Sequence, residues 1–100
     1  MLNKGYIILH RNWRSGKKEI DIIAQKDDVV IIAEIKTRTN FDFGFPEEAV
    51  NKSKQRFLKS AAEAFIDANP QYSIIRFDII SVLIEGEQVK EIIHFEEAFY

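Results

Sequence analysis

Two short apolar runs on either side of a turn constrain this 100-residue chain more than any other feature. Residues 20–24 and 29–33 have the composition of buried strands, and Lys26-Asp27-Asp28 between them has the composition of a turn. If Asp27-Asp28 is a two-residue loop, Lys26 lies opposite Val29, and every other facing pair follows from that one. The pattern therefore predicts an antiparallel hairpin with a defined register.

Charged side chains meet on one face of this predicted hairpin. The register sets Asp21 against Glu34 and Glu19 against Lys36. Like charges directly opposite each other destabilise a sheet by up to about 1 kcal/mol, so we expect a compensating cation. Lys36 supplies part of it, and Mg²⁺ or Mn²⁺ between Asp21 and Glu34 would supply more, because hard cations prefer carboxylate oxygens. The alternative is that these are ordinary charges on the solvent side of a half-buried strand.

The other face of the same hairpin is apolar. Its predicted facing pairs are Ile20 with Ile35, Ile22 with Ala33, and Ala24 with Ile31. We expect this face to form the core and to pack under a helix.

The rest of the chain completes an α/β domain with a mixed sheet. Strands at Tyr6–Trp13, Glu19–Ala24 and Val29–Arg38 form a meander. A helix is expected from Pro46 to about Asn69, with acids in its first turn and a buried stripe. A strand at 73–83 should lie parallel to the third strand, since strand-helix-strand crossovers are right-handed and parallel. The last strand is predicted at Val89–Phe95, followed by an amphipathic end, 96–100, that docks by its aromatic rings. The buried stripe of the helix comprises Val50, Phe57, Ala61 and Phe65, widened by Leu58, Ala62 and Ile66.

Composition limits the classes of protein to which the chain can belong. With 46% hydrophobic and 30% charged residues it resembles one soluble globular domain, 1–100. It has no cysteine, which excludes thiolate zinc sites and thiol nucleophiles and fits a reducing compartment. No apolar run approaches the roughly 18 residues needed to span a bilayer, so we expect a cytoplasmic protein with no membrane partner. The spacing of the glycines excludes a nucleotide-binding loop. Neither histidine lies near a serine in a nucleophile-elbow pattern, so the sequence offers no support for Ser-His-Asp catalysis.

Basic residues are concentrated in the first part of the sequence. Residues 1–60 hold 12 Lys or Arg against 8 Asp or Glu, and residues 61–100 hold 2 against 8. Basic clusters attract polyanions, although they also serve as solvated surface. Lys52, Arg56 and Lys59 recur at i, i+4 and i+7, which predicts one basic stripe on the helix. The candidate nucleic-acid-binding residues are Arg14, Lys17, Arg38, Lys52, Gln55, Arg56 and Lys59.

Five other polar or aromatic positions are expected to be structural. Arg76 and Asp78 share a face of the fourth strand and should form an internal ion pair. His10 and His94 are expected to be ordinary surface or packing residues, and Trp13 is expected in the core.

The charged face of the hairpin suits phosphodiester hydrolysis. Asp21 and Glu34 would hold the metal ion, and Lys36, two residues along the same face, would orient the nucleophile or stabilise the phosphate. We therefore take Asp21, Glu34 and Lys36 as candidate catalytic residues, with Glu19 beside them.

Several sequence segments carry a resemblance to a known family. They are Gly5-Tyr6, Asn12-Trp13-Arg14, residues 19–24, Ala33-Glu34-Ile35-Lys36-Thr37-Arg38, Phe43-Gly44, residues 48–50, residues 54–56, and Arg76-Phe77-Asp78-Ile79. Nearly end to end, the chain resembles the YraN-like family of uncharacterised bacterial proteins. That family is similar to the PD-(D/E)XK restriction-endonuclease-like superfamily, which includes archaeal Holliday-junction resolvases. The resemblance implies an α/β nuclease core whose metal-binding acids fall on Asp21 and Glu34 and whose lysine falls on Lys36. Glu19 matches a family position without an assigned role.

The resemblance also implies a difference. Members of the family usually open with a helix that bears a Gly-x-x-x-Glu-like segment, and this chain begins almost at its first strand. We therefore expect that helix to be absent. Either a partner or a second copy in a homodimer covers the exposed sheet face, or the chain is a shortened, inactive form. The predicted function is a Mg²⁺- or Mn²⁺-dependent endonuclease acting on DNA rather than RNA, including branched DNA. The alternatives are a non-catalytic nucleic-acid-binding protein that works with a partner, and an interaction module whose charges are structural.

Overall fold

A single five-stranded sheet with one helix packed against it makes up the described part of the chain, residues 5–38 and 51–99, in the computed structural model. The strands lie in the order β1-β2-β3-β4-β5. Neighbouring strands are antiparallel except β3 and β4, which are parallel and joined through the helix. This confirms the predicted α/β class and mixed sheet. The elements are β1 (Ile7–Ser15), β2 (Lys18–Lys26), β3 (Val29–Arg38), α1 (Lys52–Ala68), β4 (Ile74–Glu85) and β5 (Gln88–Phe99).

Three two-residue loops connect the antiparallel neighbours. The first loop residue is Gly16, Asp27 or Gly86, with φ of 62°, 53° and 62°. Two-residue hairpins need a positive φ at this position, which glycine adopts freely and aspartate tolerates. Lys26 pairs with Val29, which confirms the predicted loop, and the predicted register holds as far as Ile22 with Ala33, where the ladder ends. The expected pairs of Asp21 with Glu34, Ile20 with Ile35 and Glu19 with Lys36 are not part of this ladder.

The helix covers one face of the sheet through a continuous apolar cluster. From the sheet, Ile23 and Ile32 pack against Phe65 of α1, and all three are buried. The Phe65 ring meets the Trp13 ring edge-on at 5.5 Å between centroids and stacks with Tyr72 at 6.0 Å. The expected core position of Trp13 is thus confirmed. Of the predicted helix stripe, Leu58, Ala61, Ala62 and Phe65 are buried, whereas Phe57 and Ile66 are half-buried and Val50 lies outside the described residues.

The helix packs on the face of the β2-β3 hairpin opposite to the one predicted, so that prediction is wrong. Ile22 and Ala33 do pair as expected, but their side chains pack with Tyr6 and Ile80 on the face opposite the helix. Ile20, expected on that face, packs in the helix-side cluster instead. Side chains of a regular strand alternate, so residues three apart, such as 20 and 23, would lie on opposite faces.

The alternation breaks at Asp21. Its carboxylate oxygen Oδ2 accepts a hydrogen bond from the Ile35 backbone N–H at 3.0 Å, just beyond the last ladder pair, Ile22 with Ala33. On the neighbouring strand, Asn12 has a φ of 51°. A side chain has replaced the next backbone partner here, and the preceding residue, Ile20, lies on the helix side of the sheet.

The helix begins later than predicted. Asn51 is extended, with φ of −71° and ψ of 172°, and its side chain accepts a hydrogen bond from the Lys54 backbone N–H at 2.9 Å. It is therefore an N-cap, and a continuous helix from Pro46 is wrong. The predicted start itself, Pro46-Glu47-Glu48, lies outside the described residues. The predicted end is confirmed, since Asn69 donates its backbone N–H to the Ile66 carbonyl at 3.0 Å.

The last strand extends to Phe99. Residues 96–98 lie between the partners Phe95 and Phe99, where β4 has only Asp78, so β5 bulges. Phe99 stacks on Phe77 with ring centroids 5.0 Å apart, as the aromatic end was expected to do; Tyr100 lies outside the described residues. No helix in the described part of the chain has the length and apolar content needed to cross a bilayer.

Candidate functional site

Glu34 is a charged side chain in a buried position on the central strand. Its exposed fraction is 7%, and the four residues before it, 30–33, are fully or almost fully buried. It pairs with Ile79, which packs against Leu58 of α1, so Glu34 lies on the helix side of the sheet. Burying a charge is unfavourable unless partners compensate it, which makes the surroundings of Glu34 informative.

Asp21 is the acidic neighbour of Glu34. It is held in place by the hydrogen bond from the Ile35 N–H, which comes from the residue next to Glu34. The pKa of Glu34 is raised, first because burial disfavours its charged form and next because the Asp21 carboxylate repels it. The two acids that the hairpin register was expected to bring together are therefore coupled electrostatically.

Two lysines oppose the effects of burial and of Asp21 by lowering the pKa of Glu34. Lys54 and, more weakly, Lys36 lower its pKa, while Glu19 adds a small further increase. Lys36 follows two residues after Glu34 on the same face of β3 and is half-buried. Glu19 is partly exposed and forms an ion pair of 3.7 Å with Arg14. The balance leaves the pKa of Glu34 raised, so this site favours an additional positive charge.

Lys54 is a site residue that the sequence reasoning missed. Its Nζ lies 3.8 Å from Glu34 Oε1, although the lysine belongs to α1 and the glutamate to β3. A signal was available: Lys54 precedes Leu58, Ala61 and Phe65 by 4, 7 and 11 residues, the spacing of one helix face, and all three are buried. A lysine at the start of a buried stripe points toward the sheet.

The predicted nucleic-acid-binding residues fall into two groups. Arg14, Lys17 and Arg38 lie where β1 ends, β2 begins and β3 ends, the end of the sheet that holds Asp21 and Glu34. On α1, Lys52 and Arg56 are exposed, whereas Lys59 and Gln55 are half-buried. The helical positions of Lys52, Arg56 and Lys59 are turned away from the buried stripe. This basic stripe faces solvent and does not line the acidic site.

The donor atoms of the site fit a hard divalent cation. Asp21 and Glu34 offer carboxylate oxygens, and Mg²⁺ is commonly bound through one or two carboxylates while it keeps several waters. Within residues 5–38 and 51–99, however, no group of three or more His, Cys, Asp or Glu side chains is placed to hold a metal ion. The described acids therefore suit a weakly held, partly hydrated ion.

Asp78 is the second buried carboxylate, and it lies on the opposite face of the sheet. Arg76 donates to it from Nε at 2.9 Å and from Nη2 at 2.8 Å, and the Glu97 backbone N–H donates at 3.1 Å. This confirms the predicted internal ion pair. His94 Nε2 lies 2.6 Å from Asp78 Oδ2, and its side chain is only 11% exposed.

The prediction that His94 is an ordinary residue is therefore wrong, whereas His10 packs edge-on against Phe65 at 5.7 Å, as a packing residue does. The Tyr6 hydroxyl joins the same group: it accepts from Arg76 Nη2 at 2.7 Å and donates to Glu96 Oε1 at 2.8 Å. We call Tyr6, Arg76, Asp78, His94 and Glu96 the Asp78 network.

Comparison with known proteins identifies relatives of this chain. The family model described as "Uncharacterised protein family UPF0102" matches residues 1–82. UPF0102 proteins from Flavobacterium psychrophilum and Chloroherpeton thalassium are 47% and 43% identical over 97% and 95% of this chain, and over 81% and 80% of their own lengths. A UPF0102 protein from Dictyoglomus thermophilum is 51% identical over 83% of this chain and 72% of its own length.

A solved structure, Pyrococcus furiosus SfsA in complex with Ca²⁺, matches 93% of this chain with a TM-score of 0.37 and 13% identity. This chain spans about half of that protein, 55%, and so low a score supports no inference. The YraN-like family that the motifs indicated is UPF0102 under another name, so the resemblance is confirmed. With nearly its whole length matched at more than 40% identity, this chain belongs to the uncharacterised protein family UPF0102.

Proposed function

We propose that this protein is a metal-dependent nuclease that binds DNA and hydrolyses phosphodiester bonds at the end of β3. The observation that carries the proposal is the position of Glu34, buried beside a second carboxylate so that its pKa is raised. Proteins keep such unfavourable groups mainly where function needs them, and a carboxylate with a perturbed pKa in a charged cluster is a candidate for catalysis.

Each residue of the site has a proposed role. Asp21 and Glu34 would hold Mg²⁺ or Mn²⁺, which when bound supplies a Lewis acid for the phosphate and an activated water. The Ile35 N–H fixes the orientation of Asp21. Lys36, on the same face as Glu34, donates hydrogen bonds to a phosphate oxygen and stabilises the charge that develops there. Glu19 positions Arg14 through their ion pair.

The charge distribution supports a polyanionic substrate lying over one side of the sheet. Arg14, Lys17 and Arg38 belong to the strand ends nearest the site, and neutralising phosphates with such residues gives affinity that falls with salt. The far edge is acidic, with Glu85, Glu87 and Glu91 on or beside β5, and would repel the backbone. DNA would therefore run over β1 to β3.

The resemblance to the PD-(D/E)XK superfamily supports the same assignment, because its two acids and its lysine fall on Asp21, Glu34 and Lys36. A homodimer and a cytoplasmic location stay predictions from the sequence.

A non-catalytic nucleic-acid-binding protein is the second candidate. It is favoured by the number of acids at the site, since the described residues bring together fewer than the three side chains that a firmly held metal ion usually has. In this case the basic residues bind structured DNA and a partner protein performs the chemistry.

Cleavage assays separate the two candidates. Linear and branched DNA are incubated with the full chain and Mg²⁺ or Mn²⁺. We expect Glu34→Ala and Lys36→Ala each to reduce the cleavage rate about 100- to 1,000-fold, the usual effect of removing one electrostatic group from an active site. Binding to DNA should persist in both variants. Matched controls are Glu85→Ala and Lys90→Ala, an exposed acid and base paired with each other at 3.4 Å on the far edge.

The outcomes are distinct. Cleavage that survives both site substitutions contradicts the nuclease proposal. An absence of metal-dependent cleavage together with DNA binding that weakens steeply with salt supports the binding protein instead.

A further inference from the structure

The first turn of α1 carries charges of the unfavourable sign. Lys52 and Lys54 lie in that turn, which contains no acid. The N-terminus of a helix bears partial positive charge, so cations there destabilise it and acids stabilise it. The turn is otherwise well formed, because Asn51 caps it. Sequences that break a local rule in a well-formed element usually do so for function.

Lys54 is directed into the site by its place on the helix. It heads the buried stripe of Leu58, Ala61 and Phe65, and its Nζ lies 3.8 Å from Glu34 Oε1. At this distance the two groups attract each other without a short hydrogen bond. The Nζ also lies 4.9 Å from the centroid of the Phe57 ring, and the side chain is 37% exposed. The ammonium is therefore loosely held and can be reached from solvent.

We propose that Lys54 is an exchangeable counter-charge of Glu34. In the metal-free protein the Lys54 ammonium compensates the buried Glu34 carboxylate. When a divalent cation binds Asp21 and Glu34, the Lys54 ammonium leaves Glu34 and binds a phosphate of the nucleic acid. This inference rests on the proposed nuclease function. Two cations cannot share one carboxylate without repelling each other, and the flexible four-carbon stem of lysine lets its ammonium move.

The exchange predicts opposite effects on two ligands. Removing the charge of Lys54 removes a competitor for the carboxylate, so the metal should bind more tightly. The same change removes a phosphate contact, so nucleic acid should bind less tightly and with a weaker dependence on salt. A lysine that only supported the fold would produce neither effect.

Isothermal titration of the full chain with Mn²⁺ alone tests the first effect. We expect Lys54→Met to bind Mn²⁺ about tenfold more tightly than the wild type, Lys54→Gln to behave similarly, and Lys54→Arg to stay near the wild type. Lys52→Met, in the same turn and exposed, is the matched control and should change the affinity less than twofold, roughly the scale of a screened surface charge. Far-UV circular dichroism confirms that each variant is folded.

DNA binding in the metal-loaded state tests the second effect. We expect Lys54→Met to weaken it about three- to tenfold and to reduce the salt slope by about 1. Unchanged or weaker Mn²⁺ binding in both Lys54→Met and Lys54→Gln overturns the exchange, as does an equal gain in Lys52→Met. If the wild type binds Mn²⁺ and loses it in Glu34→Ala while Lys54 has no influence, only this inference fails. If the wild type binds no Mn²⁺, the nuclease proposal fails with it.

Discussion

The two buried carboxylates of the described chain are placed in contrasting surroundings. Asp78, fully buried, accepts three hydrogen bonds from Arg76 and the Glu97 N–H and contacts His94. Glu34, 7% exposed, faces the repulsion of Asp21 and is approached by Lys54 at 3.8 Å. They lie on opposite faces of the same sheet at neighbouring positions of the β3-β4 ladder, because Asp78 pairs with Ala33 and Glu34 pairs with Ile79.

This difference separates a structural role for Asp78 from the functional role proposed for Glu34. Buried polar groups are normally satisfied within the protein, and Asp78 follows that rule. The environment of Glu34 instead disfavours its charged form, which is the state that binds a metal ion. Among the described residues, Asp78 thus has several hydrogen-bond partners, whereas the Glu34 carboxylate forms a loose ion pair with Lys54 at 3.8 Å.

Breaking the Asp78 network should produce the largest loss of stability. In Asp78→Asn the amide cannot compensate the Arg76 guanidinium, and we expect the free energy of unfolding to fall by about 3–5 kcal/mol. Urea unfolding followed by circular dichroism measures this. The matched control is Asp28→Asn in the exposed β2-β3 loop, expected to change stability by less than about 0.5 kcal/mol. A loss below about 1 kcal/mol for Asp78→Asn would remove the structural assignment.

Neutralising Glu34 should change the free energy of unfolding in the opposite direction, toward greater stability. Glu34→Gln removes the repulsion with Asp21 and the burial of a charge, and loses the Lys54 ion pair and the weaker attraction of Lys36. We expect it to raise the free energy of unfolding by about 1 kcal/mol at pH 7, as substitutions at strained functional sites often do. Urea unfolding is again the measurement, with Glu85→Gln as an exposed control. A destabilisation equal to that of Asp78→Asn would show that Glu34 is as well compensated as Asp78.

The pH dependence of the free energy of unfolding gives a further test of the contrast between Glu34 and Asp78. Because the pKa of Glu34 is raised on folding, the folded protein binds more protons than the unfolded chain between the ordinary glutamate pKa and the raised one. Its contribution to stability therefore falls as pH rises through that window. The advantage of Glu34→Gln should be present above the window and vanish below it. A constant difference across acidic and neutral pH would contradict the raised pKa.

Part of this comparison could be predicted from the sequence. The composition of Asp27-Asp28 predicted the loop and therefore the hairpin register. Alternation of side chains along the strands then predicted that Asp21 lies close to Glu34. Alternation failed at Ile20, because the Asp21 carboxylate accepts the Ile35 N–H and so interrupts the ladder. Local pattern rules describe backbone pairing, and they do not anticipate a side chain that takes the place of a backbone partner.

The remaining partners of the two acids depend on contacts between distant segments. Lys54 was overlooked because its basic neighbours suggested an outward-facing stripe, although its spacing from Leu58 placed it inward. His94 pairs with Ile80, two residues from Asp78 on the same face, and the bulge at 96–98 brings the Glu97 N–H to the same carboxylate. A bulge of this kind is set by packing, here of Phe99 on Phe77, and has no short sequence signature.

The smallest effect on stability is expected at Glu96, the exposed member of the Asp78 network. The hydrogen bond donated by Tyr6 lowers the pKa of Glu96, so its stabilising contribution is present above the ordinary glutamate pKa and is lost as pH falls through the lowered value. Because the Glu96 side chain is 50% exposed, solvent screening limits this to about 0.3 kcal/mol.

Glu96→Gln should therefore leave urea unfolding at pH 7 nearly unchanged, whereas NMR titration should show the pKa of Glu96 rising in Tyr6→Phe. If Glu96→Gln proved as damaging as Asp78→Asn, the charge that organises this network would be the exposed glutamate. The contrast between Asp78 and Glu34 would then rest on the wrong carboxylate.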